Sequence, residues 1–252
     1  MLNLVAHPAS TRRPTTCAAS PISVADNPAL WRLAGARRVL LLQARETDGP
    51  STLWGAEDRR WATRQATEAG AGTCVGRVVA PNQVRIIAID DAPLPDWSQV
   101  RVLAVGEVGE ITVAGPTATD TYFNRDAQTR QAKIREGERV VHRMGDVGYF
   151  DAEGRLWFCG RKSHRVETAE GPLYTEQVEP VFNVHPQVRR TALVGVGAAA
   201  TQHPVLCVEL AQGVPAREWP RIERELREIG GRHSHTARIA RFLRHKRFPV
   251  DI

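Results

Sequence analysis

Two short polar runs hold the side chains best suited to binding a small molecule. The first is Arg143-Met144-Gly145-Asp146, and the second is Gly160-Arg161-Lys162-Ser163. An aspartate in a glycine-flanked turn presents two acceptor oxygens, which suit the vicinal hydroxyls of a ribose, and a neighbouring arginine can bridge a diol and a phosphate. The alternative is an Asx turn that starts a hairpin and binds nothing. The spacing alone leaves both interpretations open.

The strands that would position these runs are predicted from β-branched residues and turn signals. Residues 84–90 and 110–115 are β-branched runs bounded by Gly, Pro and Asp, which indicates two strands. Residues 148–150 and 155–159 flank Asp151-Ala152-Glu153-Gly154, whose first and last residues suit a type I turn. The two polar runs therefore lie on either side of a predicted hairpin.

After this hairpin the pattern changes to alternating helices and strands. Apolar residues at helical spacing predict one helix around 178–182 and a second from Trp219 to Gly230. Extended runs at 191–196 and 205–210 lie between them. The joint near Gly160-Arg161 therefore separates a β-rich half from an α/β half of about 90 residues.

The first part of the chain gives much weaker signals. Residues 1–60 show no sustained period, five prolines interrupt them, and the one convincing strand pattern is Arg38–Leu42. We expect residues 1–71 to be irregular and poorly packed. The predicted division is therefore 1–71 unassigned, 72–160 β-rich and 161–252 α/β.

Composition excludes several classes of protein. The chain has 252 residues, of which 42% are hydrophobic and 25% charged, as in soluble globular proteins. No stretch approaches the roughly 18 apolar residues of a membrane span, and the start lacks the features of a secretory signal, so we expect a cytoplasmic protein. The four cysteines form no CxxC pair, which favours reduced thiols over a structural zinc site, and no metal site is predicted.

Five motifs occur in a fixed order along residues 72–252. They are Glu107–Pro116, Tyr122-Phe123-Asn124 with Thr129, Met144-Gly145-Asp146, Gly160-Arg161-Lys162, and His185-Pro186 with Val194-Gly195-Val196. In spelling and order they strongly resemble the second half of the acyl-adenylate-forming ligases, which include acyl-CoA synthetases, luciferases and adenylation domains of peptide synthetases. The wording of residues 144–180 looks like that of the olefin β-lactone synthetases, which convert a β-hydroxy acid and ATP to a β-lactone.

The resemblance implies a fold and a division of labour. The fold would be α+β, with 72–160 as the β-rich end of the large AMP-binding domain and 161–252 as the small mobile α/β C-terminal domain. ATP or AMP would be the cofactor, with magnesium in the full-length family. The substrate class would be a long-chain carboxylic acid.

The resemblance also implies roles for four residues. Asp146 would accept hydrogen bonds from the ribose hydroxyls of AMP, and Arg161 would lie close to the same ribose. Ser163 stands at the hinge about which the small domain rotates, a position that is often acidic or lysine in the family. Gly171 would belong to the loop that swings toward the active site.

Parts of the family's machinery are missing from the sequence. No Ser/Thr/Gly-rich loop ending in Lys-Gly, which would bind the triphosphate, occurs before residue 72, and the triplet Ala66-Thr67-Glu68 only mimics another family motif. Residues 248–252 resemble the strand before the family's final lysine, but the chain stops before that lysine would come. Met144 and Thr121 stand where the family usually has Thr and Gly. We therefore expect an incomplete ligase with no catalytic residue of its own.

Two other functions remain open. The chain could be a non-catalytic module that docks on a ligase or partner enzyme through apolar surface exposed by the missing half. From Arg217 to Arg247 the chain has 10 basic and 4 acidic residues, which could bind nucleic acid. Because few aromatic residues are interleaved there, the pattern favours a solvated, arginine-rich helix face.

Overall fold

The described residues bury apolar side chains in four clusters, and one of them joins Val147 and Cys159, before the joint at Gly160-Arg161, to Tyr174 after it. The cluster after the joint is the largest, with Phe182, Leu206 and Ile222 fully buried in it. The α+β class is confirmed, because the described chain is rich in strands with a few helices packed on them. The computed structural model describes residues 61–116 and 118–249, and the backbone of three strands at 22–23, 40–42 and 52–53.

Nine strands of the described chain form one antiparallel sheet before the joint. Their bounds are β1 Ile22–Ser23, β2 Leu40–Leu42, β3 Thr52–Leu53, β4 Thr73–Val78, β5 Gln83–Ile87, β6 Gly109–Ala114, β7 Lys133–Glu136, β8 Arg139–Phe150 and β9 Leu156–Arg161. The strand order is β1-β2-β3-β4-β9-β8-β6-β5, and β7 also pairs with β8. Helix α1 (Trp61–Glu68) precedes β4, and helix α2 (Asp126–Ala132) precedes β7.

The predicted hairpin is confirmed between β8 and β9. The Gly154 amide donates to the Asp151 carbonyl at 3.0 Å, as a type I turn requires. The Asp151 carboxylate also accepts from the Arg155 amide at 2.8 Å and from the Trp157 indole at 2.7 Å. The turn therefore fixes the register of the two strands that lie between the polar runs.

Before the joint, the described residues expose few large apolar side chains. Strand β6 is buried at all six positions, and in the sheet it lies between β5 and β8. The large apolar side chains that are exposed before the joint are Val102, Val105 and Phe123. The apolar surface that the missing half would have covered therefore stays a prediction.

The second half is an α/β unit built on a three-stranded sheet. Its elements are β10 Val166–Thr168, β11 Gly171–Leu173, α3 Thr175–Asn183, β12 Val188–Val196, β13 His203–Leu210, α4 Trp219–Gly230, α5 Ser234–Ala237 and β14 Arg241–His245. Strand β12 pairs antiparallel with β13, and β14 pairs parallel with β13 after the crossover through α4. Val178 and Phe182 of α3 and Leu226 of α4 pack in the same core, which confirms both predicted helices.

The predicted irregular segment 1–71 is partly wrong. Residues at its end form α1, which packs against α3, and the triplet Ala66-Thr67-Glu68 lies within this helix. The predicted strand at Arg38–Leu42 is confirmed over Leu40–Leu42. Contacts with residues that are distant in sequence stabilise α1. Its eight residues are too few to show a clear helical period of apolar side chains, so the sequence did not predict the helix. The rest of residues 1–60, apart from the strand backbones, lies outside the described residues.

The strand predicted over residues 248–252 is also wrong in its described part. The last strand ends at His245, and Phe248 and Pro249 follow it without strand pairing. The Phe248 amide donates to the Glu209 carboxylate at 2.8 Å, and Pro249 has no amide hydrogen for a ladder. Residues 250–252 lie outside the described residues.

Glu179 of α3 gives the protein a pH-dependent stability. Its carboxylate accepts from the Leu193 amide at 3.0 Å, and burial, with a smaller effect from Glu176, raises the pKa of Glu179 to about 7. The ordinary value is 4.5, so between these two pH values the folded chain binds more protons than the unfolded chain. This group therefore costs stability as the pH rises through that window.

We expect Glu179→Gln to be more stable than the wild type by about 1–3 kcal/mol at about pH 8 and nearly equal to it near pH 4.5. The amide removes the buried charge and keeps an oxygen for the Leu193 amide. Urea unfolding at both pH values measures the difference, and Glu228→Gln on the exposed face of α4 is the control. A stability difference that does not change with pH would contradict the prediction.

Candidate functional site

The two residues predicted to contact a ribose face each other across β8 and β9. Asp146 and Arg161 are direct cross-strand partners, and Nη1 of Arg161 lies 3.1 Å from Oδ1 of Asp146. Gly145 precedes the aspartate with a φ of +67°, a left-handed conformation that favours glycine and turns the strand at this point. The hairpin therefore brings together the two polar runs that are separate in sequence.

The Asp146–Arg161 pair differs in the exposure of its two members. The Asp146 side chain is fully buried, whereas 23% of the Arg161 side chain is exposed. The guanidinium of Arg161 is therefore more accessible to a ligand than the carboxylate of Asp146. In this arrangement an arginine can donate to an anionic group while the carboxylate beside it accepts from hydroxyls.

A second charged cluster lies next to this pair, and sequence reasoning missed its partner on β6. Arg143 of β8 contacts the Glu110 carboxylate at 2.6 Å through Nη2, and Lys162 contacts the same oxygen at 3.2 Å. Glu110 and Arg143 are each 1% exposed, and Lys162 is 14% exposed. The available signal was Glu110 itself, a charged residue at the start of an otherwise apolar strand.

Oxygen atoms of loop 90–92 bind three cationic side chains near the joint. The Asp90 carbonyl accepts from Lys162 at 3.0 Å and also from Arg143, and the Ala92 carbonyl accepts from Arg143 at 2.8 Å. The Asp91 carboxylate pairs with Arg165, and this hydrogen bond lowers the pKa of Asp91. Residues on both sides of the joint are thus held by one loop of the large sheet.

The predicted hinge and mobile-loop residues lie after this pair. Ser163 is exposed in a short 3-10 turn, Lys162–His164, that directly follows β9. Gly171 begins β11, and its carbonyl accepts from the Thr168 hydroxyl at 2.7 Å. The structure therefore places Ser163 at the joint and Gly171 in the β10–β11 hairpin beyond it. Their predicted movements remain predictions.

The Tyr122 motif has a structural role in the described chain. The Tyr122 amide donates to the Thr129 hydroxyl at 3.0 Å, which links the loop to α2. Lys133 lies 5.2 Å from the Tyr122 ring centre and donates to the Thr119 hydroxyl at 3.1 Å. His142 packs edge-on against Tyr122, and burial, with the charge of Lys133, lowers the pKa of His142 to about 3.

Two further properties were searched in the part of the chain that the structure describes. No group of three or more His, Cys, Asp or Glu side chains is placed to hold a metal ion there. None of the described helices is both long and apolar enough to span a bilayer. Cys74 and Cys159 are buried free thiols, Cys207 is half-buried, and Cys17 lies outside the described residues.

Solved structures identify the class of protein to which this fold corresponds. The amide bond synthetase from Marinactinospora thermotolerans is 26% identical, with a TM-score of 0.61, over 81% of this chain and 37% of that one. The o-succinylbenzoate CoA synthetase from Bacillus subtilis, solved with its acyl-adenylate intermediate, has a TM-score of 0.59 at 23% identity over 83% of this chain and 37% of that one, which shows the fold alone. The fold that the resemblance implied is thereby confirmed, and the curated relatives described next bear out the resemblance to the acyl-adenylate-forming ligases.

Curated relatives narrow the class. The olefin beta-lactone synthetase of Xanthomonas campestris pv. campestris is 78% identical over 196 residues, which are 76% of this chain and 35% of that protein. The protein of the same name from Stenotrophomonas maltophilia is 70% identical over 195 residues, 75% of this chain and 35% of that protein. The chain thus spans about 35% of the length of these relatives. No protein-family model matches it.

Proposed function

We propose that this chain is the C-terminal portion of an ATP-dependent acid ligase of the olefin β-lactone synthetase type. In the whole enzyme the substrate would be a fatty β-hydroxy acid, activated as its acyl-adenylate and converted to a β-lactone or an acyl thioester. The observation that carries the proposal is the contact between Asp146 and Arg161, the two residues to which the resemblance assigns the nucleotide ribose. A cytoplasmic location is part of the proposal.

The chemistry of the pair fits a nucleotide. The Asp146 carboxylate is an acceptor for the two ribose hydroxyls, and the Arg161 guanidinium supplies donors and positive charge toward a phosphate. ATP, when bound, supplies the α-phosphate on which the acid is activated. No residue is assigned to magnesium, because the part of the chain that the structure describes holds no group of three or more side chains placed for a metal ion.

The proposal also assigns the two halves of the described chain. Residues 72–160 would be the β-rich end of the AMP-binding domain, and residues 161–252 the small C-terminal domain. Ser163 would be the hinge, because it follows β9 directly and its side chain is exposed. Gly171 would lie in the loop that moves with the small domain.

We expect the 252-residue polypeptide to bind AMP weakly through the pair and to release no pyrophosphate from ATP and a β-hydroxy fatty acid. Of its three lysines, Lys133 and Lys162 are engaged with Thr119 and Glu110, and Lys246 follows the last strand. Asp146→Asn should weaken AMP binding about tenfold or more, because the charged acceptor is lost. Amide NMR shifts on AMP titration, together with a pyrophosphate assay, measure both results.

The Asp126 carboxylate provides a matched control for this test. Asp126→Asn changes an exposed aspartate in the first turn of α2 and should leave the affinity for AMP unchanged. AMP shifts that spare residues near Asp146 and Arg161 would refute the proposed ribose contact. Pyrophosphate release by the chain alone would refute the expectation that it cannot catalyse adenylation by itself.

A docking module is the second candidate function. Val194, Val196 and Leu243 are exposed on the three-stranded sheet, which offers an apolar contact to another protein. Nucleic-acid binding is less well supported, because arginines of α4 are neutralised on their own helix. Arg221 pairs with Glu225 at 2.7 Å, and Arg227 pairs with Glu223 at 2.7 Å.

A further inference from the structure

The strand pairing around Asp146 is irregular on both sides of β8. The β8–β9 register shifts between Val147 and Gly148, and the β6–β8 register shifts between Glu110 and Thr112. Bulges of this kind interrupt the ladder and bend the strand locally. The backbone hydrogen bonds therefore specify the position of Asp146 less strongly than they would in a regular sheet.

The Glu110 carboxylate supplies a connection where the ladder is interrupted. It contacts Arg143 at 2.6 Å, and Arg143 lies on β8 three residues before Asp146. It also contacts Lys162 at 3.2 Å, and Lys162 directly follows Arg161. One buried anion thus binds the chain neighbours of both members of the Asp146–Arg161 pair.

The surrounding contacts make this arrangement rigid. Arg143 donates to carbonyls of loop 90–92 and to the Gln131 carbonyl at 3.3 Å, so its guanidinium is fixed on several sides. Lys162 donates to the Asp90 carbonyl at 3.0 Å as well as to Glu110. Because these groups are desolvated, their electrostatic attraction is stronger than that of a surface pair.

We propose that Glu110 is a positioning residue for the Asp146–Arg161 pair and that it acts on Arg161 through Lys162. Its carboxylate holds β8 and the chain after β9 together, so that the guanidinium of Arg161 stays on the carboxylate of Asp146. The functional meaning of this positioning rests on the proposed ribose contact. The alternative is a buried ion pair that stabilises the sheet and has no influence on Arg161.

Lys162→Met tests the proposal because it removes the contact with Arg161's neighbour and leaves Glu110 paired with Arg143. Lys162→Arg is the conservative variant, which keeps a cation that can reach Glu110. Glu136→Gln is the matched control, because Glu136 pairs with Arg85 at 2.6 Å in the same sheet. None of these variants removes Glu110 or Arg143, which form the most buried ion pair of the cluster.

Two measurements on the full chain separate positioning from stability. Hydrogen exchange of the Arg161 Nη1–H groups, followed by ¹⁵N NMR, reports the pair without nucleotide. It should become about tenfold faster in Lys162→Met and return toward the wild-type rate in Lys162→Arg. The dissociation constant for AMP should rise about tenfold in Lys162→Met and remain unchanged in Glu136→Gln.

The proposal is overturned if Lys162→Met leaves the Arg161 exchange rate unchanged, or if Glu136→Gln changes it equally. If the wild type does not bind AMP while the exchange rates follow the expected order, the positioning role stands and the proposed ribose contact fails. If AMP binds and both measurements are insensitive to Lys162, the ribose contact stands and Glu110 is only structural.

Discussion

Glu110→Leu is expected to lower the free energy of unfolding by about 3–5 kcal/mol. The substitution leaves the guanidinium of Arg143, 1% exposed, without a carboxylate in a site that water does not reach. Its bonds to the Ala92 and Gln131 carbonyls offset part of the desolvation but do not neutralise the charge. The loss should therefore exceed that of ordinary surface ion pairs.

Unfolding of the wild type and three variants in the denaturant guanidinium chloride measures this loss of stability. Glu136→Leu is the control, because its pair with Arg85 is 20–25% exposed and should cost only about 1 kcal/mol. The double variant Glu110→Leu/Arg143→Leu should recover part of the loss, because it removes the unpaired charge as well. Equal losses in Glu110→Leu and Glu136→Leu would show that burial of the first pair has no special weight.

Gly160→Ala is expected to destabilise the chain by about 1–3 kcal/mol and to disturb the joint. Gly160 has a φ of +132°, a conformation that residues with a Cβ rarely adopt. An added Cβ would lie 2.5 Å from the Thr175 hydroxyl and 3.4 Å from the Thr175 amide nitrogen. The strand end that carries Arg161 would have to move away from α3.

Thermal unfolding compares this variant with Gly213→Ala, which also has a positive φ but no atom within 4 Å of the added Cβ. The difference between the two isolates the close approach to α3. In a Thr175→Ala background the clash with the hydroxyl disappears, so Gly160→Ala should cost less. If the two glycine variants lose equal stability, the contact with Thr175 does not constrain the joint.

The elements that could be predicted from sequence are those with strong local patterns. The Asp151–Gly154 turn, the helix around Phe182 and the helix from Trp219 carry the signals of their structure in adjacent residues. The short helix α1 could not be predicted, because distant residues stabilise it. In the described part of residues 248–252, Phe248 lies outside any strand, and its amide donates to the Glu209 side chain instead of a strand ladder.

The site shows the same difference between local and distant information. Asp146 and Arg161 could be proposed together, because a hairpin with a readable turn joins them. The third polar partner, Glu110, comes from a strand that is far away in sequence, and a single charge in an apolar run does not reveal its partner. Cross-strand pairing of β6 with β8 supplies that information only when the fold is known.

The three lysines differ in burial, so their relative reactivities can be used to test for movement at the joint. Lys133 is 8% exposed, Lys162 is held against Glu110, and Lys246 is exposed after the last strand. After treatment with an amine-acylating reagent, mass spectrometry would give the extent of labelling at each lysine. Lys133 would be the shielded reference, Lys246 the fully reactive reference and Lys162 the reporter. The labelling of Lys162 relative to the other two would test the predicted movement at the joint.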